Sequence, residues 1–586
     1  MQSRSDGSSN DWRGQAREDG WPESRTSARS LHMPRAESAC DRSTVPLERA
    51  HAGNADIATE SIADRRARKM SLDLCVSLNC STLAEMQQDY ATAMSGGADL
   101  VELRLDYLKP GELDRLTGLE EWFRKNAERL IVSFRPVDQG GVHDGDTATR
   151  VSTLLWAGGL RPRYVDFEYA CFARSDEMRD KARLMASAGE DDRWDGLILS
   201  EHHLEQRPPT LERKFLDMCD TPAELIKLVW RARNANDNFE AFDLLQSRAR
   251  RAIVFCVEPE GLASRILGKK LGCPVTYCAL RRGEETAPGQ PTLDEMMRLY
   301  HWKSIDRETA VYGLIGDPVA HSLSPHVHNA ALAACKLNAV YLPFRIENDG
   351  FAFADFIRAV ADRPWLDIRG FSVTSPHKHN AFLLTEEDLD PISRRTESVN
   401  TIRFGEDNVQ GWNTDYQAAL KWLTQALECD LPELAERRFD VLGAGGLARS
   451  VVAGLRLIRA PVTIHNRTLD NAKVLAEAFD CTAETLNEET KLTGDVLINC
   501  TTVGMWSAAD RSPVRPEQIH AESVVFDAIY NPAKTKLLAD AEARGCRTVG
   551  GLELFVDQAA LQFTALTSYE APRSLMHEVA SEQLEA

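Results

Sequence analysis

From residue 73 onward, short apolar runs of strand length return at a regular interval, and this rhythm restricts the possible folds most. The runs are LCVSL (74–78), DLVELRL (99–105), LIVSFR (130–135), YVDFE (164–168), GLILS (196–200), ELIKLVW (224–230), AIVFCVE (252–258) and PVTYCAL (274–280). Stretches suited to helices separate them. Eight strands within roughly 210 residues fit a (β/α)8 barrel, whose usual size is about 250 residues. In that fold, chemistry sits at the C-terminal strand ends.

The polar residues fall at those ends. Glu102, Arg104 and Asp106 close the second run, Arg135 the third, and Asp166 and Glu168 the fourth. Ser200, His202 and His203 follow the fifth, Glu258 and Arg265 the seventh, and Thr286 to Gln290 the eighth. Lys227 lies inside the sixth run, between Ile226 and Leu228. A lysine there either snorkels to water or serves as a buried amine nucleophile. Arg104, Arg135 and Arg265 converge on the same mouth and are expected to hold that amine uncharged. They also suit a carboxylate or hydroxyl-rich substrate, and a histidine on the neighbouring strand can move protons.

After residue 307 the pattern restarts. VYGLIGDPVAHSLSP places Ser322 and Ser324 before a helix, as ligands or as simple caps. GFSVTSPHK sets Thr374 and Lys378 between a strand and a helix, and SVNT and GWNTD add Asn400 and Asp415. Lys378 and Asp415 could exchange a proton with a bound alcohol. In FDVLGAGGLARS a strand enters Gly443, Ala444, Gly445, Gly446, Leu447 and Ala448, and an apolar helix leaves. This is the dinucleotide phosphate turn. The next strand ends in Asn466, Arg467 and Thr468, where an NAD site would carry an acid, so NADP is expected. Thr501, Gly504 and Met505 follow another strand, Tyr530 a further one, and Gly551 and Gln558 open a closing helix.

ELRLDYL, SFRP, SEHH, IKLV, ASRI and ETAPGQ, over about 72–300, resemble a type I 3-dehydroquinate dehydratase. The resemblance implies that Lys227 forms a Schiff base with the substrate ketone and that His202 is the base and acid, oriented by Glu102. It implies that Glu102, Arg104, Arg135, Arg265, Thr286 and Gln290 bind substrate. Gln139 stands where an acid is usual, and Thr286 where a serine is common. SLSP, FSVTSPHK, VNT, NTD, GAGGLAR, NRT and GLELFVDQA, over about 310–570, resemble shikimate dehydrogenase. That likeness implies Lys378 and Asp415 as the catalytic pair, and Ser322, Ser324, Thr374, Asn400, Tyr530 and Gln558 around the substrate. Ser372 replaces a frequent asparagine.

The fold class expected is α/β: a TIM barrel, then a substrate-binding lobe and a Rossmann NADP-binding lobe. The boundaries expected are 71–302 for the barrel, 310–430 for the substrate lobe, 431–548 for the NADP lobe and 549–586 for helices closing back on the substrate lobe. The linker is short, so the parts should touch, with inter-domain motion as the default. Residues 1–70 read as a disordered tail or as a start placed too early, with Met70 the natural beginning. The net charge of −20 argues against nucleic acid and anionic membranes as partners. Thirteen cysteines without a CxxC pair suggest thiols in the cytoplasm. Small-molecule substrates and NADP(H) are the ligands expected, with no metal or prosthetic group. Oligomeric state stays open. Together the two resemblances suggest a fused pair of consecutive enzymes of the shikimate pathway. Quinate oxidation is the alternative for the second half, and a class I aldolase or a metabolite-binding regulator are weaker readings. Arg467→Ala is expected to weaken NADP binding about tenfold or more, the size of one lost charge-assisted contact, while sparing NAD. Titration with each dinucleotide checks this, and equal loss for both would refute a 2′-phosphate contact.

Overall fold

The computed structural model describes residues 71–586, except 187–195, 248, 386–388, 390, 407, 506–507 and 586. The expectation for residues 1–70 lies outside the described residues. Eight strands form the first sheet: β1 (Asp73–Leu78), β2 (Leu100–Arg104), β3 (Leu130–Ser133), β4 (Tyr164–Glu168), β5 (Leu197–His203), β6 (Leu225–Arg231), β7 (Ala252–Val257) and β8 (Val275–Ala279). Consecutive strands pair in parallel from β1 to β7, and β8 returns to β1. The strands are buried on both faces, which is why they read as continuous apolar runs rather than alternating ones. Register sets Ser77 beside Glu102 and Ser200 beside Lys227. After β6, helix α1 (Asp237–Ser247) packs on the outside of β7.

The second sheet comprises β9 (Ala310–Gly316), β10 (Ala339–Arg345), β11 (Ile368–Val373), β12 (Thr401–Phe404) and β13 (Val409–Trp412), in the order β10-β9-β11-β12-β13. The first three run parallel, and β12 and β13 form an antiparallel hairpin on the edge. Its helices include α2 (Ser324–Ala334), α3 (Gly350–Ala361), α4 (Lys378–Leu384) and α5 (Asp415–Leu427). The third sheet holds β14 (Phe439–Leu442), β15 (Val462–Asn466), β16 (Thr482–Thr485), β17 (Val496–Asn499), β18 (Val524–Asp527) and β19 (Arg547–Val549). All are parallel, in the order β16-β15-β14-β17-β18-β19. This is the 3-2-1-4-5-6 order of a dinucleotide-binding sheet. Helix α6 (Gly446–Leu457) follows β14. Helices α7 (Leu552–Thr567) and α8 (Arg573–Glu585) turn back to pack on α2, and α7 also covers β11 and β12. Among the described residues no helix is long and apolar enough to cross a membrane.

The barrel and the second sheet share one continuous apolar core. Phe239 of α1 meets Phe356 of α3 with ring centroids 5.5 Å apart, and Phe356 in turn meets Phe344 and Phe371. Polar contacts ring this seam. Arg363 forks onto Asp243 at 2.8 and 2.6 Å. Arg345 bridges Glu260 at 2.7 Å and Asp317 at 2.9 Å. Lys270 donates to the linker carbonyls of Arg307 and Thr309. Aromatic burial and a linker held by Lys270 join the two parts at this boundary. Phe356→Ala should cost about 3–5 kcal/mol. Both activities should then fail at the same, lower denaturant concentration, and failure of only one would show that the seam does not couple the halves.

Candidate active sites

The barrel strands and the segments that follow them bring Glu102, Arg104, Arg135, His202, Lys227, Arg265, Thr286 and Gln290 to the wall of a single cavity. Ser77, Gln139, Phe255 and Tyr277 complete much of that wall. Lys227 is 3% exposed. Its Nζ lies 3.1 Å from Asp166 Oδ2 and 3.7 Å from Glu102 Oε1. The expected guanidinium shelter around the amine is thus corrected. The charged groups within ion-pair reach are the carboxylates of Asp166 and Glu102. Arg135 stands on the other side of the same carboxylate, with Nη2 2.9 Å from Asp166 Oδ2. Burial alone would raise Asp166, but Arg135, Lys227 and His202 outweigh it and hold the carboxyl well below the usual range. Ser200 donates a further short hydrogen bond to its second oxygen.

Glu102 does not orient His202, which corrects a second expectation. Its carboxylate accepts from Ser77 Oγ at 2.6 Å and faces Arg135 and Lys227. Arg135 lies between: its Nη1 is 3.0 Å from His202 Nδ1. A guanidinium only donates, so Nδ1 is the acceptor. The main-chain N–H of His202 donates to Gln139 Oε1 at 2.9 Å, so Gln139 keeps a supporting contact. Burial, then Arg135 and Lys227, pushes His202 well below the ordinary histidine value, leaving a neutral ring. Arg104 forks onto Asp106 at 2.9 and 2.7 Å. Thr286 donates through N–H and Oγ1 to Gln290 Oε1. Arg265 differs from the other two guanidiniums. It is 1% exposed, burial lowers it to about 10, and its Nε and Nη2 have no hydrogen-bond partner among the described residues. Two free donors on a buried cation suit a carboxylate.

The second cluster forms where α4 and α5 begin. Lys378 Nζ lies 2.6 Å from Asp415 Oδ2. The other oxygen of Asp415 accepts from Asn400 Nδ2 at 2.7 Å, and Asn400 O accepts from Gln562 Nε2 at 2.8 Å. Gln558, one turn earlier on α7, approaches Thr414 Oγ1 with its main-chain oxygen at 3.5 Å. Ser322 Oγ accepts from Ser324 N–H at 3.2 Å, at the start of α2. The Tyr530 hydroxyl meets the Leu323 main chain of that same loop, and its ring packs on Phe555. Thr374 follows β11, with its N–H tied to Ile315 O.

The phosphate-type turn adjoins this cluster. Gly443 has φ +103°, a left-handed conformation that favours glycine. The Lys378 stem passes close to Gly446: a Cβ there would lie 3.7 Å from Lys378 Cδ. Ala448 is buried in the core beneath α6, with Ala444 and Leu447 against it. Thr501 donates through N–H and Oγ1 to Asn499 Oδ1, while Gly504 and Met505 continue that loop. Asn466 ends β15 and donates to Thr468 O at 2.8 Å. Arg467 is exposed. Gly551 precedes α7, against Ala528.

A family model described as type I 3-dehydroquinase matches residues 74–307, and one described as shikimate dehydrogenase substrate binding domain matches 314–402. A chloroplastic bifunctional 3-dehydroquinate dehydratase/shikimate dehydrogenase of Arabidopsis thaliana is 31% identical over 527 residues, 87% of this chain and 84% of that protein. The chain belongs to this bifunctional family. The shikimate biosynthesis protein AroDE of Chlamydia pneumoniae is 28% identical over 84% of this chain and 94% of its own length. A shikimate dehydrogenase (NADP(+)) of Methanopyrus kandleri is 38% identical over 48% of this chain and 98% of its own. Ser77, Phe255 and Tyr277 line the cavity without having been singled out in the sequence, and Asp166 and Ser200 stood there only as strand-end polar residues. Asp166 was visible as a strand-end charge, but its pairing with Lys227 spans 61 positions, and no local pattern reports such a contact. Gln562 stood beside the selected Gln558, and only the helix orientation shows which of the two reaches Asn400.

Proposed function

We propose that this chain dehydrates 3-dehydroquinate in the barrel and reduces the product, 3-dehydroshikimate, to shikimate in the second half with NADPH. The observation that supports this most is the buried Lys227 sharing a cavity with neutral His202 and the unpartnered Arg265. Arg265 takes the substrate carboxylate. Arg104, Arg135, Thr286 and Gln290 meet the hydroxyls. Lys227, after losing a proton, adds through Nζ to the C3 carbonyl, and water leaves to give an iminium. His202 takes a C2 proton at Nδ1, the nitrogen that bears the lone pair, as the Arg135 donor gives way to the substrate, and the C–H electrons flow into the iminium to give an enamine. The enamine then expels the C1 hydroxyl as water, with the proton returned by His202. Hydrolysis of the remaining imine frees 3-dehydroshikimate and the amine.

In the second half, Ser322, Ser324, Thr374, Asn400, Tyr530 and Gln558 surround the substrate. The residues at the Gly443 turn fit a dinucleotide. Gly445 faces open space, and α6 begins there without a side-chain cap, so its first-turn N–H groups would hold a pyrophosphate. Asn466, Arg467 and Thr468 suit the 2′-phosphate, and Thr501, Gly504, Met505 and Gly551 line the nicotinamide side. NADPH supplies a hydride when bound. Lys378 gives a proton to the carbonyl oxygen as it becomes a hydroxyl. Asp415 keeps that amine oriented, and Asn400 fixes Asp415. We place the enzyme in the cytoplasm, in keeping with twelve described cysteines that are all free.

Lys227→Ala is expected to abolish dehydration and spare reduction. Borohydride treatment with 3-dehydroquinate should leave an adduct that maps to residue 227, and an adduct elsewhere, or none, would overturn the assignment. His202 works as a base only when neutral. Its lowered pKa means that the His202 ring should stay neutral as pH falls through 6.5, the ordinary histidine value. An imidazole NMR titration of His202 with its midpoint at or above 6.5 would contradict this.

A further inference from the structure

Two cations in the barrel cavity rest on aromatic rings. Lys227 Nζ lies 3.9 Å from the centroid of Tyr277, and the Arg265 guanidinium carbon lies 4.3 Å from that of Phe255. The rings also touch each other, with centroids 6.0 Å apart and planes at 49°. Phe255 belongs to β7 and Tyr277 to β8, the one adjacent strand pair of the barrel without a backbone ladder among the described residues. Both rings line the cavity.

The two contacts solve different problems. No carboxylate within ion-pair distance faces Arg265 among the described residues, although the side chain is fully buried. A carboxylate would engage the guanidinium N–H groups in their own plane. A ring face attracts the cation through its quadrupole and leaves those N–H groups available. For Lys227 the carboxylates Asp166 and Glu102 attract an ammonium. Once Nζ is joined to carbon it keeps its positive charge but has fewer N–H groups, and the π face still opposes it. The Tyr277 hydroxyl is buried without a hydrogen-bond partner among the described residues, so the ring, rather than the phenol, accounts for the contact.

We propose that Phe255 and Tyr277 form an aromatic seat for the dehydratase: Tyr277 stabilises the iminium on Lys227, and Phe255 holds Arg265 with its donors free for the substrate carboxylate. The proposal rests on the roles assigned above to Lys227 and Arg265.

The test uses the full-length enzyme with phenylalanine, then mono-, di- and trifluorophenylalanine, placed at position 277 and separately at 255. Fluorination drains the π face with little change of shape. Activities at 277 are referred to Tyr277→Phe, which keeps the ring and drops the hydroxyl. Dehydration kcat should then fall stepwise along the series at 277, by about three- to thirtyfold in all, the range of a cation–π contact. At 255, KM for 3-dehydroquinate should rise stepwise while kcat holds. NADPH-dependent reduction by the same molecules should stay constant. A flat series at either position, or a Tyr277→Phe variant as impaired as the trifluoro one, overturns the seat for that ring. Borohydride mapping of each variant separates this from failure of the lysine assignment: an adduct at 227 with a flat series sinks only the seat.

Discussion

A carboxylate shared between two buried cations organises the barrel site. Asp166 Oδ2 lies 2.9 Å from Arg135 and 3.1 Å from Lys227. The shared carboxylate offsets the desolvation of both groups, which for an isolated charge costs several kcal/mol. From this one group the rest follows. Arg135, anchored on Asp166 and Glu102, turns its remaining nitrogen to His202. Ser200, held between Asp166 and Arg135, closes the ring of contacts. Burial, then neighbouring positive charge, presses the histidine toward its neutral form, while the lysine is seated beside carboxylates. One wall thus offers the imidazole and the amine opposite environments.

The second site uses a different arrangement. Its lysine–aspartate pair sits at the first residues of two helices, where the chain direction is set by packing rather than by strand register. Asn400 and Gln562 convert the closing helix α7 into a brace for Asp415. Lys378 also passes beside Gly446, so the lysine–aspartate pair and the phosphate-type turn stand next to each other. The second and third sheets thus meet at these two features.

Much of this was readable from the chain. All eight barrel strands appear as apolar runs because they are buried on both faces. The nucleotide turn appears because its glycines lie between a strand and an apolar helix. Strand β16, Thr482–Thr485, escaped because it is a polar, mostly exposed edge strand. In the barrel site the residue types were legible, but not who touches whom. Strand ends announce that Glu102, Arg135, Asp166 and Lys227 share a mouth, yet the pairing depends on barrel stagger and side-chain reach. Hence Glu102 faces Ser77 and Lys227 instead of His202, and carboxylates, not guanidiniums, surround the amine. Phe255 and Tyr277 look like ordinary core aromatics in sequence, and their position under cations is a property of the closed barrel alone.

The Phe239–Phe356 seam bears on how such a chain can be divided. Separating the halves near residue 307 would leave each fragment with a greasy aromatic scar, and would strip Lys270 and Arg363 of their carbonyl and carboxylate acceptors. A solitary barrel or a solitary reductase of this sequence would be prone to clump. Either fragment would therefore need this face resurfaced before it could stand alone.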